Sequence, residues 1–181
     1  DTYVIDSSKR DRAFGFIRRH LDAGRQCYII CPLIEEGQSD MASVEQYAEE
    51  LREKWFVGNT VGTLHGKMKP AEKEKTMADF AAGRIDILVS TTVVEVGMDV
   101  PNAVVMLIEN AERYGLSQLH QQRGRVGRGS EKSTCILVSD AQNEEARKRL
   151  AVMCGTNDGF LIAQEDLRLR GPGDFFGAKQ H

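Results

Sequence analysis

The ten residues from His120 to Gly129, HQQRGRVGRG, hold three arginines and three glycines in a chain whose formal net charge is −3. A helix beginning near Ser117 would put Arg125 and Arg128, three apart, on one face, with Gly124 and Gly127 directly before them. Glycine inside a helix costs about 1 kcal/mol relative to alanine, so two of them imply close approach of something to the backbone. A guanidinium is a planar, permanently charged fork that matches phosphate oxygens. Two on a face stripped of bulk suit a polyphosphate. The bland alternative, a solvated charged helix end, leaves the doubled glycine unexplained.

A second constellation follows a strand. In VSTTVVEVGMDVPNA an apolar run from Ile85 leads into Thr91 and Thr92, then Gly97 and Asp99, then Pro101. Small and hydroxylated residues just past the carboxyl end of a parallel strand sit where α/β sheets bind ligands. Asp99 can accept hydrogen bonds from a sugar hydroxyl, or form an Asx turn before Pro101. In LHGKM, His65, Gly66 and Lys67 stand at another strand end, as an ordinary glycine turn or as a contact to a phosphate backbone.

The elements that must position these groups alternate along the chain. Phe14, Ile17 and Leu21 make one helical stripe, with Ser7 or Ser8 as N-cap and Gly24 as stop, and an apolar run from Gln26 to Leu33 follows. Val44, Tyr47, Leu51 and Trp55 repeat the stripe, and TVGTLHG reads as a short strand. Pro70 suits the first position of the next helix, whose Met77 and Phe80 face inward and which stops at Gly83. The runs IDILVST, AVVMLIEN and STCILVS have the Val and Ile content of strands buried on both faces. Such alternation predicts a three-layer α/β domain with a mostly parallel sheet over residues 1–140. Beyond Asp140, NEEARKRLAVMCG and DGFLIAQEDLRL read as a helical hairpin turning at residues 155–158, and RGPGDFFGAKQH as a glycine-rich loop.

Composition bounds the function classes. With 181 residues, 41% of them hydrophobic, the chain can build one core of ordinary size. No run approaches the roughly 18 to 20 apolar residues of a membrane span, and no signal-peptide pattern opens the chain. A cytoplasmic protein without a membrane partner is expected. The negative net charge argues against a wholly basic nucleic-acid binder and leaves local basic patches open. None of the four cysteines forms a CxxC pair, and none is spaced from a histidine like a zinc ligand, so reduced structural thiols and no metal site are expected.

STTVVEVGMDVPNA and QQRGRVGRG, in that order and separation, resemble motifs V and VI of superfamily 2 helicases, and CPLIEE and TLHGKMKPAEK resemble the motifs before them. With the ending NDGFLIAQEDLRLRGPGDFFG, the chain resembles the carboxyl-terminal motor lobe of the RecG family, bacterial ATP-dependent DNA helicases that remodel branched DNA such as stalled forks and Holliday junctions. The resemblance implies a RecA-like fold and an ATP and magnesium site shared with a first lobe. It assigns Arg125 and Arg128 to phosphate sensing and transition-state stabilisation, and Gln121 and Gly124 to the same motif. Gly97 and Asp99 would lie near the ribose, and His65, Gly66 and Thr91 would hold the DNA backbone. The ending resembles the family's TRG element, which couples hydrolysis to DNA movement, and by position Arg149, Arg170 and Gln180 match its key residues. The partners implied are branched DNA, the first RecA-like lobe and a wedge domain of the same protein, acting as a monomer in the bacterial cytoplasm.

No GxxxxGK[ST] phosphate loop and no DExx box occur in the chain. Half of an ATPase site is therefore expected, in a domain cut from a longer protein near the lobe boundary and inside the loop after Gln180. His181 stands where the resemblance implies a small residue. Two other readings stay open: the same lobe of a transcription-repair coupling translocase, and a non-catalytic α/β module whose arginines bind an anion.

Overall fold

Residues Gln26–Ile30, Ile87–Ser90 and Ala103–Ile108 are buried at every position, as strands covered on both faces must be. A computed structural model describes residues 1–31, 40–91, 100–126 and 132–175. Its strands are β1 (Thr2–Ile5), β2 (Gln26–Ile30), β3 (Val61–Leu64), β4 (Ile87–Ser90), β5 (Ala103–Ile108) and β6 (Thr134–Val138). Every neighbouring pair is parallel, in the order β1-β6-β5-β2-β4-β3.

The pleat sorts the core into two layers. Tyr28, Ile30, Leu88, Met106, Ile108 and Leu137 face one side; Cys27, Ile29, Val89, Val105, Leu107 and Ile136 face the other. Helices α1 (Arg10–Asp22) and α2 (Asp40–Glu50) cover the second side through Phe14, Ile17, Val44 and Ala48. The first side carries α3 (Pro70–Ala81), α4 (Leu116–Arg123), α5 (Glu144–Gly155) and α6 (Gly159–Phe175). Met77, Phe80, Leu119, Leu150, Met153 and Ile162 reach its core from these four helices. The hairpin α5–α6 therefore shares the apolar core of the sheet. Full burial of side chains of this size is worth about 1.5–3 kcal/mol each, enough to seat the hairpin without polar contacts. Burial also pushes up the Cys27 and Cys135 thiols, the latter to about 12, which keeps them protonated and inert.

Gly24 and Gly83 end α1 and α3 in the left-handed conformation, φ +84° and +82°, as expected of helix-stop glycines. Pro70 opens α3 at its amino end. Five expectations need correction. Neither serine caps α1: Ser7 and Ser8 lie in a 3₁₀ turn over Ser7–Lys9 that Asp6 caps, its carboxylate accepting from Ser8 N–H at 2.9 Å, and α1 follows with Lys9 at its N-cap and no side-chain capping bond. The stripe through Trp55 is α-helical only to Glu50 and closes in a π-helical turn over Leu51–Trp55, with Phe56 N–H bonded to the Leu51 carbonyl at 2.7 Å. Strand β1 is additional. Helix α4 ends at Arg123 with Gly124 as its C-cap, so Gly124 and Arg125 lie in the turn beyond it and the in-helix glycine cost does not arise at Gly124; Gly127 lies outside the described residues. The loop expected from Arg170 onward is helical as far as Phe175; Pro172 has the φ a helix needs, although it removes one hydrogen bond.

Candidate functional site

The carboxyl ends of β3 and β4 are neighbours, with Leu64 in register with Ser90. His65 and Thr91 follow directly, so the fold brings these two residues together. Both are largely buried, 7% and 9% exposed. His65 Nδ1 and Thr91 Oγ1 are buried and make no hydrogen bond among the described residues. Gly66 and Lys67 are exposed in the turn after His65. On this edge the turn at Gly66, rather than the His65 ring, offers itself to a large ligand. Gly97 and Asp99 belong to residues 92–99, outside the described residues.

The arginine-rich motif stands at the opposite edge. Helix α4 runs back along the sheet and delivers its last turn beside the amino ends of β1 and β6, where Arg123 Nη1 donates to Thr2 Oγ1 at 3.2 Å. Gln121 and Gly124 are exposed there and Arg125 is partly exposed. The Gly124 and Arg125 amides close the turn onto the His120 and Gln122 carbonyls, each at 3.0 Å. Arg128 lies outside the described residues. The fold thus groups Gln121, Gly124 and Arg125, and separates them from His65 and Thr91 by the length of the strands.

Arg123 is a functional candidate that the sequence reading passed over. Its guanidinium donates to the Met153 carbonyl at 2.6 Å and to the Thr156 carbonyl at 3.0 Å, tying the end of α4 to the tip of the α5–α6 hairpin. His120 reinforces this contact, with Nδ1 3.5 Å from Arg123 Nη2. Its other face is so close to Gly159 that a Cβ there would lie 2.9 Å from Nε2. Partial burial lowers the Arg123 pKa, and the group stays charged at neutral pH. Arg123→Ala would leave two carbonyls short of a charged donor, an expected loss of about 1.5–3 kcal/mol readable by urea unfolding. Faster amide exchange confined to residues 153–158 would identify the hairpin tip as what is released.

Arg149, on α5, donates through Nη2 to the Glu112 carbonyl in the 3₁₀ turn Ala111–Arg113. Its Nε and Glu112 Oε1 are buried without a hydrogen bond among the described residues. The hairpin is thereby pinned to α4 at one end and to the segment leading into α4 at the other. Arg170 falls within the span of α6, and Gln180 lies outside the described residues.

A third cluster was not foreseen. Glu109, just past β5, is 2% exposed and accepts both Arg10 Nε and Arg10 Nη2, at 2.9 and 2.7 Å. Tyr47 Oη donates to the same carboxylate at 2.8 Å. The hydrogen bond to Glu109 raises the Arg10 pKa, and burial, with the Glu109 charge second, raises that of Tyr47. The cluster joins α1, α2 and the carboxyl edge of the sheet. Glu109 is buried but the Arg10 side chain is 34% exposed, so water and Tyr47 partly replace the lost guanidinium and Arg10→Ala should cost about 1.5–3 kcal/mol in thermal melts. Arg10→Met with Glu109→Leu should recover most of that loss in the same thermal melts.

The helicase conserved C-terminal domain family matches residues 9–130. The chain belongs to this family. The lobe is 53% identical over 180 residues to the ATP-dependent DNA helicase RecG of Synechocystis sp., which covers 99% of this chain and 22% of that relative. It is 49% identical over 185 residues to the RecG of Bacillus subtilis, covering 99% of this chain and 26% of the relative. The lobe thus spans about a quarter of the length of these curated relatives. Among solved structures it is similar to RecG bound to a three-way DNA junction, with a TM-score of 0.79 and 42% identity over 96% of this chain and 22% of that one. The second domain of a DEAD-box helicase bound to an RNA duplex shares the fold, with a TM-score of 0.66 at 18% identity over 86% of this chain and 60% of that one. The resemblance read from the motifs and the RecA-like parallel sheet both agree with these findings.

Proposed function

We propose that the chain is the second motor lobe of an ATP-dependent double-stranded DNA translocase that remodels forks and Holliday junctions. The observation that carries this reading is the latch from Arg123 to the hairpin carbonyls at 2.6 and 3.0 Å, which makes the arginine motif and the hairpin one mechanical unit. In the intact protein the first RecA-like lobe and a wedge domain are its partners. The protein works as a monomer in the bacterial cytoplasm.

The residues present suit the far side of an ATP site. The end of α4 presents cations and small residues, which can meet phosphate oxygens, while the exposed Gln121 amide can hydrogen-bond to the nucleotide. Hydrolysis of the terminal phosphoryl bond supplies the driving free energy. Arg125 and Arg128 neutralise charge developing on the transferred group. Magnesium falls to the first lobe, because the motif at the end of α4 contains no carboxylate. Gly97 and Asp99 meet the ribose. Gly66 meets the DNA backbone at the other edge, on a turn that the buried His65 and Thr91 position. Closing the cleft moves α4, and Arg123 and Arg149 pass that motion to the hairpin, where Arg170 and Gln180 complete the coupling.

Because nucleotide would touch this lobe from one side only, the isolated chain is expected to bind ATP weakly and to hydrolyse none above background. Phosphate release by the purified chain that exceeds release by an identically prepared Arg125→Ala control would contradict the half-site reading.

A further inference from the structure

The sheet ends at β1, whose outer side pairs with no strand among the described residues. The Asp1 and Ile5 carbonyls accept from Cys135 and Ser139, so by the alternation of a strand the backbone groups of Thr2 and Val4 face outward. Tyr3 and Val4 are 52% and 40% exposed. Beside this edge runs a groove of about 630 Å³, floored by Tyr3, Ile5 and Phe16 and rimmed by Lys9, Arg12 and Arg19. The three cations follow helical spacing on one stripe and make no ion pair among the described residues. Asp1, the one carboxylate in the groove lining, is already paired with Lys132 at 2.9 Å. The positive rim runs against the net charge of the chain.

We propose that this edge docks an acidic, extended peptide segment of a partner protein, which adds a strand to β1. Outward backbone donors and acceptors call for a complementary ladder, and an apolar floor takes every second side chain of a strand. Cations along the rim select carboxylates on the incoming segment. A nucleic-acid backbone could use the cations but neither the ladder nor the floor.

The test uses the intact protein and a labelled synthetic peptide alternating Asp or Glu with Val or Phe over eight positions, read by fluorescence anisotropy. A control peptide carries Lys at each acidic position. The acidic peptide is expected to bind about tenfold or more tightly than the control. Arg12→Glu with Arg19→Glu, both at exposed positions, should weaken it about tenfold or more. Val4→Pro removes an outward N–H without touching the bonds to β6, and should weaken binding comparably. ATPase and fork unwinding without peptide should be unchanged in both variants. No binding, equal binding of the two peptides, or binding indifferent to the charge reversals would overturn the proposal. Loss of forked-DNA affinity in the charge-reversed protein, without peptide binding, would overturn it in favour of a nucleic-acid surface. Should Val4→Pro fail to fold, the charge reversals decide alone.

Discussion

Alanine at Arg125 or Arg128 in the intact protein is expected to lower DNA-stimulated ATP hydrolysis by about 10³-fold or more, with branched-DNA binding little changed. The size follows from what an arginine reaching across a split site does. Its charge stabilises the transferring phosphoryl group only as negative charge moves onto the bridging oxygen, so its removal is felt in the rate and little in ground-state affinity. Arg125 suits this role because the turn after α4 holds its backbone while its side chain remains partly exposed. Lysine is a poor substitute, since a compact ammonium cannot offer two parallel donors. Alanine variants that hydrolyse ATP at the normal rate and lose DNA binding would instead make these arginines nucleic-acid ligands. Rates must be compared at one salt concentration, because phosphate contacts make both quantities salt dependent.

A different signature is expected at the hairpin. Arg149→Ala, Arg170→Ala and Gln180→Ala should each leave much of the DNA-dependent ATPase while abolishing fork unwinding. Arg149 is the structural anchor of this expectation: it crosses from α5 to the Glu112 carbonyl, in the segment between β5 and α4. The apolar seat formed by Leu150, Met153 and Ile162 keeps the hairpin on the sheet when this bond is lost. Motion is then decoupled without the lobe unfolding. Had Arg149 made only a surface ion pair, its removal would cost at most about 1 kcal/mol and change neither rate. ATPase and unwinding measured on the same forked DNA separate the cases. Proportional loss of both rates would place Arg149 in the nucleotide site or in the fold. Unchanged rates would reduce it to a surface contact.

Buried strands and amphipathic helices were legible in the sequence because burial imposes a period. Phe14, Ile17 and Leu21 had to share a face, and AVVMLI had to be covered twice. Strand β1 was missed because TYVI is only four residues long and half exposed, too short for a period to declare itself. Glycine and proline misled in opposite directions at α4 and α6, the first helix being extended through Gly124 and the second stopped short of Pro172. Gly124 turned out to cap a helix rather than interrupt it, while α6 runs on through Pro172. In the candidate site, local motifs pointed to Arg125, Gly66 and Thr91 because their residue types are unusual at strand and helix ends. Arg123 stood inside the same motif and was passed over. Its partners lie 30 and 33 residues away, and only the fold shows that they converge. The Arg10–Glu109 pair spans 99 residues; its one local trace is a carboxylate closing an entirely apolar strand.

The central claim, that this lobe completes an ATP site through its arginines, is tested most directly by the affinity of the intact protein for ADP with and without aluminium fluoride in the presence of forked DNA. The wild-type protein is expected to bind the transition-state mimic far more tightly than ADP alone, and Arg125→Ala to lose most of that preference while keeping its affinity for ADP. An unchanged preference in Arg125→Ala would contradict the account.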